Sequence, residues 1–394
     1  MRTGASEVRG LTGMIRSGWP RPLAAVCLAL AVGFTGCAGN GSSGGDHGTS
    51  VDGEVALPRD AYTRMGYRLE WSSRTVTGRG AQVEFAEAYP DYLLTQDEGN
   101  TVALLETSDG GVRWSADLAG DLERFVGLDR FLVGGVQRVM ASSESEIYLL
   151  DEKTGDLRDR QRLRELVNTR PLVTPSGLVI FGCPTSVVTC QDLLRRTRMW
   201  AYGVRGAVDA RPALLGGGVV GVVSQGGDVL FLDSVSGSGR GLTRIYGGLA
   251  NDPVTDGSTL YVASLDQSIW AIEPYGADKV RWRIRTESPL TAQPQVFEDT
   301  LYITIPGEGM TAVDTATGVK RWSNPDVDGD VVAIRAGRPL VWNGRDVVLL
   351  DPRQGREIDR AALEDVDMIR ADRMVDGNLF TLSASGTVKK YSPR

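Results

Sequence analysis

The chain has 394 residues and a formal net charge of −7, with one histidine, His47, and four cysteines. Residues 1–36 hold four arginines and one glutamate, so the rest of the chain carries a charge of about −10. Because binding to a phosphate backbone needs a basic face, this charge disfavours nucleic acid as a partner.

The N-terminal segment predicts export and lipidation. The apolar run 23–34 is long enough for a signal-peptide core and too short to span a bilayer of about 30 Å. It ends at Thr35-Gly36-Cys37, which resembles the lipobox of bacterial lipoproteins. We therefore expect residues 1–36 to be a lipoprotein signal peptide, with Met14 as a possible true start, and Cys37 to carry palmitate. A secretory signal without lipid is the alternative.

The residues after the predicted lipid site are typical of a flexible tether. Residues 37–60 are rich in glycine and serine, a composition that does not order itself. The remaining residues, 61–394, are expected to form one folded domain.

A five-residue pattern recurs along this domain. Each copy has two to four apolar residues followed by a small polar or acidic one. The copies end at Glu106, Asp151, Gly203, Asp233, Glu273, Asp314, Asp351 and Ser392. From the first to the last is 286 positions over seven intervals, a mean of about 41, which is typical of a solenoid or a propeller.

The surroundings of each copy favour the propeller. A glycine such as Gly155 or Gly318 follows at a fixed offset, as a tight hairpin requires. A tryptophan then opens the next strand in the clearest copies, at Trp114, Trp282 and Trp322. The sequence therefore predicts an all-β, eight-bladed propeller of four-stranded antiparallel blades.

The two ends of the repeat array complement each other. The last copy, 388–392, lacks a following tryptophan strand, whereas the strand around Trp71 lacks a preceding copy. We expect these two strands to share the eighth blade and to close the ring. Two intervals are irregular, 52 residues up to Gly203 and 30 from there to Asp233, which predicts an extra loop in one blade and a trimmed neighbour.

The cysteines of the domain are Cys183 and Cys190. In an oxidising compartment they are expected to form a disulfide across the loop between them. Two free thiols are the alternative.

The residue inventory argues against catalysis. The single histidine lies in the predicted tether, which excludes histidine-based hydrolase sites from the folded domain. The acidic stretch 326–330 departs from a calcium loop in the place of its glycine, so no metal site is expected. The acids that end the copies are interpreted as turn-forming side chains, and the tryptophans as packing residues.

The unit 311–322 resembles the repeat of the pyrroloquinoline-quinone-like (PQQ-like) β-propellers, and the resemblance covers about residues 67–394. Quinoprotein alcohol dehydrogenases of that superfamily bind quinone and calcium and carry adjacent cysteines, which are absent here. The lipobox and the eight copies are more similar to BamB, the family of outer-membrane protein assembly lipoproteins that bind no quinone. This resemblance implies a non-enzymatic scaffold without cofactor, a monomer within a complex with a β-barrel assembly subunit.

The resemblance also suggests contact residues and a location. Arg205 and Asp252 loosely match the family's partner-binding arginine and acids. The segment Leu193, Leu194 and Arg195 has a composition suited to a protein contact. The expected location is the outer membrane, facing the periplasm, with the outer face of the cytoplasmic membrane as alternative. A generic envelope lipoprotein that binds a protein or glycan, and a small PQQ-dependent dehydrogenase, are the alternative functions.

Overall fold

The computed structural model describes residues 63–120, 122–276 and 279–394. Within these residues the chain forms eight sheets, each of four antiparallel strands. The predicted all-β, eight-bladed propeller is therefore confirmed. In the same part of the chain no helix is long and apolar enough to cross a membrane. The predicted signal peptide, Cys37 and the whole of the predicted tether lie outside the described residues.

The strands follow the chain blade by blade, from the axis outwards. Blades 1 to 4 are β2–β5 (Val83–Ala88, Tyr92–Asp97, Thr101–Glu106, Val112–Asp117), β6–β9 (Phe125–Val133, Val136–Ser143, Glu146–Asp151, Leu157–Arg162), β10–β13 (Leu172–Val173, Leu178–Cys183, Val187–Asp192, Thr197–Gly203) and β14–β17 (Ala213–Leu215, Val219–Val223, Asp228–Asp233, Gly239–Arg244). A 3-10 turn, Gly216–Gly218, follows β14. Blades 5 to 7 are β18–β21 (Val254–Thr255, Leu260–Ser264, Ser268–Ile272, Val280–Arg285), β22–β25 (Gln295–Phe297, Thr300–Ile305, Gly309–Asp314, Lys320–Asn324) and β26–β29 (Asp330–Arg335, Arg338–Trp342, Asp346–Leu350, Glu357–Ala362). Blade 8 joins β30–β32 (Met368–Ala371, Leu379–Leu382, Thr387–Pro393) to β1 (Tyr67–Arg74).

Closure of the ring by the N-terminal strand is confirmed. β1 pairs antiparallel with β32, from Tyr67 opposite Pro393 to Arg74 opposite Thr387. The innermost strands β2 and β30 are also in contact, which completes the ring at the axis. Lys390 is 8% exposed. Its Nζ donates to the Thr107 carbonyl at 2.9 Å and so links blade 8 to blade 1.

The hydrophobic core lies between neighbouring blades. The second and third strands of a blade are covered on both faces, as in β3, where every residue is buried, and β4, where every residue but the last is buried. One such layer packs Tyr261 and Ile269 of blade 5 against Leu301 and Val313 of blade 6. Because both faces are covered, these strands appear in the sequence as continuous apolar runs, which is why the third strand was recognisable.

The tryptophans lock adjacent blades together, as predicted. In each case the indole N–H donates to the carbonyl of the residue that follows the acid or equivalent residue of the next blade, and the ring covers that blade's turn glycine. The pairs with their N···O distances are Trp71 with Thr107 (3.0 Å), Trp114 with Glu152 (2.8 Å), Trp200 with Ser234 (3.1 Å), Trp282 with Thr315 (2.8 Å) and Trp322 with Pro352 (2.9 Å). A methyl group added to Gly318 would lie 2.8 Å from the Trp282 ring, so this position needs glycine.

The acids at the ends of the third strands form turns, also as predicted. Oδ1 of Asp314 accepts the backbone N–H of Thr317 at 2.8 Å, and Oδ1 of Asp351 accepts that of Gln354 at 2.8 Å. The hydrogen bond from Arg321, with further bonds from Thr317, lowers the pKa of Asp314 to about 2.

The third blade corrects the repeat assignment. Its third strand is β12, which ends at Asp192, whereas residues 199–203 belong to its fourth strand, β13. From Asp151 to Asp192 and from there to Asp233 is 41 residues each, so the predicted extra loop and trimmed blade are wrong. The copy was missed because β12 is less apolar, and because Arg196 takes the left-handed turn position, with φ 53°, where other blades have glycine.

The predicted disulfide is also wrong. Both cysteines are buried free thiols. Cys183 pairs with Val187, and Cys190 pairs with Ile180, three ladder positions away. Three positions span about 10 Å, beyond the roughly 7 Å between Cα atoms that a disulfide tolerates. The two thiols also face opposite sides of the sheet, since one packs against blade 2 and the other against blade 4.

Strand direction divides the turns between two faces of the ring. The face where β1 begins and β32 ends carries the turns between first and second strands and between third and fourth strands; we call it the entry face. The face with the turns between second and third strands, and with the connections from blade to blade, is the far face.

Candidate protein-binding site

The structure separates the residues predicted to contact a partner. Arg205 follows β13 on the far face, whereas Leu194 and Arg195 precede the same strand on the entry face. Seven residues of extended strand, about 23 Å, lie between these positions. They therefore cannot form one compact contact. Leu193 is 3% exposed and packs in the core between blades 2 and 3, so its prediction as a contact residue is wrong.

Arg205 is fixed on the far face by a buried carboxylate. Its Nε donates to Oδ1 of Asp228 at 2.8 Å, and its backbone N–H donates to Oδ2 at 3.0 Å. The Asp228 side chain is 8% exposed and also faces Arg244 at 3.5 Å. Half of the Arg205 side chain remains exposed, so a partner could reach its guanidinium.

Asp252 is a structural acid rather than a free loop residue. Its Oδ1 accepts the backbone N–H of Arg211 at 2.7 Å, and its own N–H donates to Oε1 of Gln293 at 3.2 Å. These bonds tie the starts of three successive inner strands together. The sequence carries a signal for this role that the repeat analysis did not use: Arg170, Arg211, Asp252 and Gln293 each precede a proline, at intervals of 41 residues.

An exposed tyrosine lies on the same face, on the connection from blade 4 to blade 5, two positions after Arg244, which shares the carboxylate of Asp228 with Arg205. Tyr246 is 82% exposed, yet its backbone N–H donates to Oδ2 of Asp266 at 3.1 Å, and that carboxylate is almost fully buried. The chain after it is tightly packed, since a Cβ on Gly248 would lie 1.8 Å from Oε1 of Gln225. The tyrosine is therefore exposed on a backbone that packing and hydrogen bonds restrain.

Cations surround this tyrosine. The guanidinium of Arg283 lies 5.6 Å from the Tyr246 ring centre and 4.2 Å from that of Trp270. Arg285 follows on the same strand and is exposed, and its guanidinium makes no hydrogen bond or ion pair with a described residue. We call the set Arg205, Arg244, Tyr246, Leu265, Arg283 and Arg285 the tyrosine patch. Restrained aromatic and arginine side chains of this kind provide most of the binding energy at protein interfaces.

The propeller axis holds interblade ion pairs. Arg170 bonds to Glu87, and Nη2 of Arg211 donates to Oδ2 of Asp129 at 3.1 Å. Gly127 allows the close approach of Arg170, because a Cβ added to Gly127 would lie 2.8 Å from the Arg170 side chain. These arginines and carboxylates are thus engaged with one another, and no group of three metal-ligating side chains occurs in the described part of the chain. The axis therefore does not fit a quinone with its calcium ion.

A shallow groove of about 490 Å³ runs along the free edge of β1. It is lined by Arg68, Leu69, Glu70 and Trp71 together with residues 108–109 of blade 1. It lies at the outer rim and is separate from the tyrosine patch.

The comparisons with known proteins agree with this architecture. The family model described as outer membrane protein assembly factor BamB matches residues 275–391. The crystal structure of BamB from Moraxella catarrhalis has a TM-score of 0.65 at 19% identity, and the match covers 83% of this chain and 97% of BamB.

Two further proteins match at similar or smaller extent. A computationally designed protein, Ika8, also has a TM-score of 0.65 at 11% identity, covering 81% of this chain and 98% of the design. The serine/threonine-protein kinase AfsK of Streptomyces coelicolor is 31% identical over 111 residues, which is 28% of this chain and 13% of the kinase. At these identities the solved structures establish the fold alone. The chain is thus an eight-bladed β-propeller that shares its fold with BamB, and its residues 275–391 match the BamB family model.

Proposed function

We propose that this protein is a non-catalytic scaffold of the cell envelope, anchored by lipid at Cys37, which assists the assembly and insertion of β-barrel outer-membrane proteins. Its partner would be a subunit of the β-barrel assembly machinery, and its location the periplasmic face of the outer membrane. The family-model match and the fold shared with BamB support this assignment.

The observation that carries the proposal is the tyrosine patch. Tyr246 presents a large apolar ring at low entropic cost, because its backbone is restrained before any partner arrives. The exposed Arg244 and Arg285 would complement acidic side chains of the partner. The proposal does not require a reactive group, and the described residues contain no histidine that could act as a base.

The test is an affinity purification of the full-length protein from solubilised envelope, followed by mass spectrometry. Wild type is compared with Tyr246→Ala and Arg205→Ala. Truncation of a central tyrosine costs about 2 kcal/mol or more, so we expect recovery of the partner to fall by roughly 30-fold for Tyr246→Ala. Arg205→Ala should lower it less, because part of its role is to pair with Asp228.

Val319→Ala is the control, since Val319 is 62% exposed on the entry face and lies in neither surface discussed as a contact. It should recover the partner as wild type does. If a β-barrel assembly subunit is recovered equally with all variants, the patch is not the contact. Should no such subunit be recovered with wild type, the assembly function is refuted.

A second candidate is a generic envelope propeller that binds a protein or glycan. The local match to a kinase shows that similar repeats also occur outside BamB, and a propeller fold by itself does not specify the partner. Recovery of an unrelated envelope protein or glycan, lost with Tyr246→Ala, would support this candidate.

A further inference from the structure

The hairpin between β6 and β7 extends beyond the entry face. In blade 2 the level of the turn-forming acid is marked by Arg138, which pairs with Asp151. Two further pairs of the β6–β7 ladder lie past that level, the last joining Val133 to Val136. Two residues per strand correspond to about 7 Å. We call this extension, residues 132–137, the finger.

The inner hairpins of blades 4 and 6 stop at the level of the acid. In blade 4 the last pair is Leu215 with Val219, and Val219 itself pairs with Asp233. In blade 6 Phe297 pairs with Thr300, opposite Asp314. The finger is therefore a local addition to the repeated blade and not a property of the fold.

The tip of the finger is apolar and exposed. Leu132 is 59% exposed and Val136 49%. The turn between them is Gly134-Gly135, both at positive φ with open space around them. On the next three blades the turns after the third strand also expose apolar residues on the entry face. Their exposed residues are Leu194 (62%), Val235 (54%) and Tyr275 (57%). Together these five residues form an apolar arc over blades 2 to 5.

The position of the chain entry indicates what covers this arc. The chain reaches the ring at the entry face, where β1 begins at Tyr67. The predicted lipid site, Cys37, precedes the first described residue, Thr63, by 26 positions. For the tether that is expected from the composition of residues 37–60, a length of 26 residues corresponds to a root-mean-square span of about 25–30 Å, and a lipid on Cys37 would then keep the entry face close to the bilayer. Arg195, 74% exposed beside Leu194, would suit anionic headgroups.

We propose that the entry face rests on the lipid bilayer, with the finger inserted among the headgroups and the remainder of the apolar arc against the surface. The proposed lipid anchor would raise the local concentration of lipid around the finger. The affinity of the finger for the bilayer does not depend on that anchor. A projection of about 7 Å matches the depth of roughly 5–10 Å at which interfacial segments bury their apolar side chains. The tyrosine patch, on the far face, would then point away from the membrane.

The test measures binding to lipid without the anchor. Full-length processed protein carrying Cys37→Ser is sedimented with vesicles of phosphatidylethanolamine and phosphatidylglycerol, and the bound fraction is followed against lipid concentration. We expect measurable binding that falls by about tenfold or more in the double variant Leu132→Asp/Val136→Asp, because two inserted apolar side chains are replaced by charges.

The matched control is Leu166→Asp, at a residue that is 55% exposed on the far face, and it should bind as the parent does. Thermal unfolding of each variant checks the fold, and Leu132→Ser/Val136→Ser replaces the double variant if it is unstable. No binding by the parent, or equal binding by the double variant, overturns the proposal. Loss of a protein partner by the finger variant without loss of vesicle binding would identify the arc as a protein contact instead. The Tyr246→Ala purification tests the proposed function independently.

Discussion

At the scale of single residues, the two cysteines show how strand register decides chemistry. Cys183 and Cys190 are seven positions apart in the chain, yet the ladder places them on opposite faces of one sheet. Burial raises the pKa of each thiol to about 12, with further contributions from Glu165 and Asp192. Since the thiolate is the reactive form, both thiols are expected to be inert in the folded protein.

We predict that neither Cys183 nor Cys190 reacts with iodoacetamide at pH 8 in the native protein, and that both react after denaturation. A raised pKa keeps the thiol protonated at every pH below it, so pH 8 leaves almost no thiolate. Mass mapping of alkylated peptides measures the reaction. Dithiothreitol should leave the melting temperature unchanged. A lower melting temperature after reduction would instead support the predicted disulfide.

At the scale of elements, the stability of the ring depends on how each fourth strand meets the next blade. Five of the tryptophans cover a turn at such a contact. Between blades 2 and 3 the tryptophan position holds Asp159, and the turn position opposite holds Arg196, which donates to it at 2.8 Å. The tryptophan position and the turn position therefore change together. A glycine is needed where an indole ring lies above the turn, whereas a long side chain such as arginine fits where no ring is present.

This packing predicts the effect of two glycine substitutions. Gly318→Ala and Gly337→Ala both place a side chain at φ +73°, which costs about 1–2 kcal/mol. At Gly318 the new methyl group also meets the Trp282 ring at 2.8 Å, whereas at Gly337 nothing lies within 4 Å. Gly318→Ala should therefore lower the free energy of unfolding by at least about 1 kcal/mol more than Gly337→Ala does. Equal losses in chemical denaturation would show that the ring moves aside freely.

At the scale of the whole molecule, the two ends of the propeller meet in blade 8. The backbone N–H of Arg394 donates to the carbonyl of Gly66 at 2.9 Å, and Nε of Arg335 donates to the same carbonyl at 3.0 Å. The covalent break in the ring therefore lies between two strands that are already paired. Its position in the chain should matter little to stability.

We predict that a circular permutant folds normally. A short glycine-serine link would join Arg394 to Thr63, which keeps the buried Met65, with new ends between the exposed residues Pro175 and Ser176. Its melting temperature should lie within about 4 °C of the unpermuted propeller, because every strand pair is kept. A permutant with new ends inside the buried strand β15 is the control and should not fold. A large loss in the first permutant would show that closure requires the natural chain order.

The sequence by itself determined the architecture, because each third strand is buried on both faces and ends in a turn of fixed chemistry. Those local demands repeat every 41 residues and are visible as apolar runs, acids and glycines. The pattern is not recognisable at Asp192, where polar residues replace the apolar run and Arg196 replaces the turn glycine. The closing pair of strands was equally predictable, since each end lacked what the other supplied.

Only the tertiary structure decided the surfaces. Arg205, Tyr246 and Arg283 come from three separate segments of blades 3 to 5; Asp228 fixes Arg205, and Asp266 fixes the backbone of Tyr246, whose ring lies close to Arg283. The entry and far faces likewise follow from strand direction, which separates Arg195 from Arg205 although they are ten positions apart in the chain. Local propensity repeats with the blade, whereas a binding surface depends on contacts between residues from different blades, and a linear pattern does not encode those contacts.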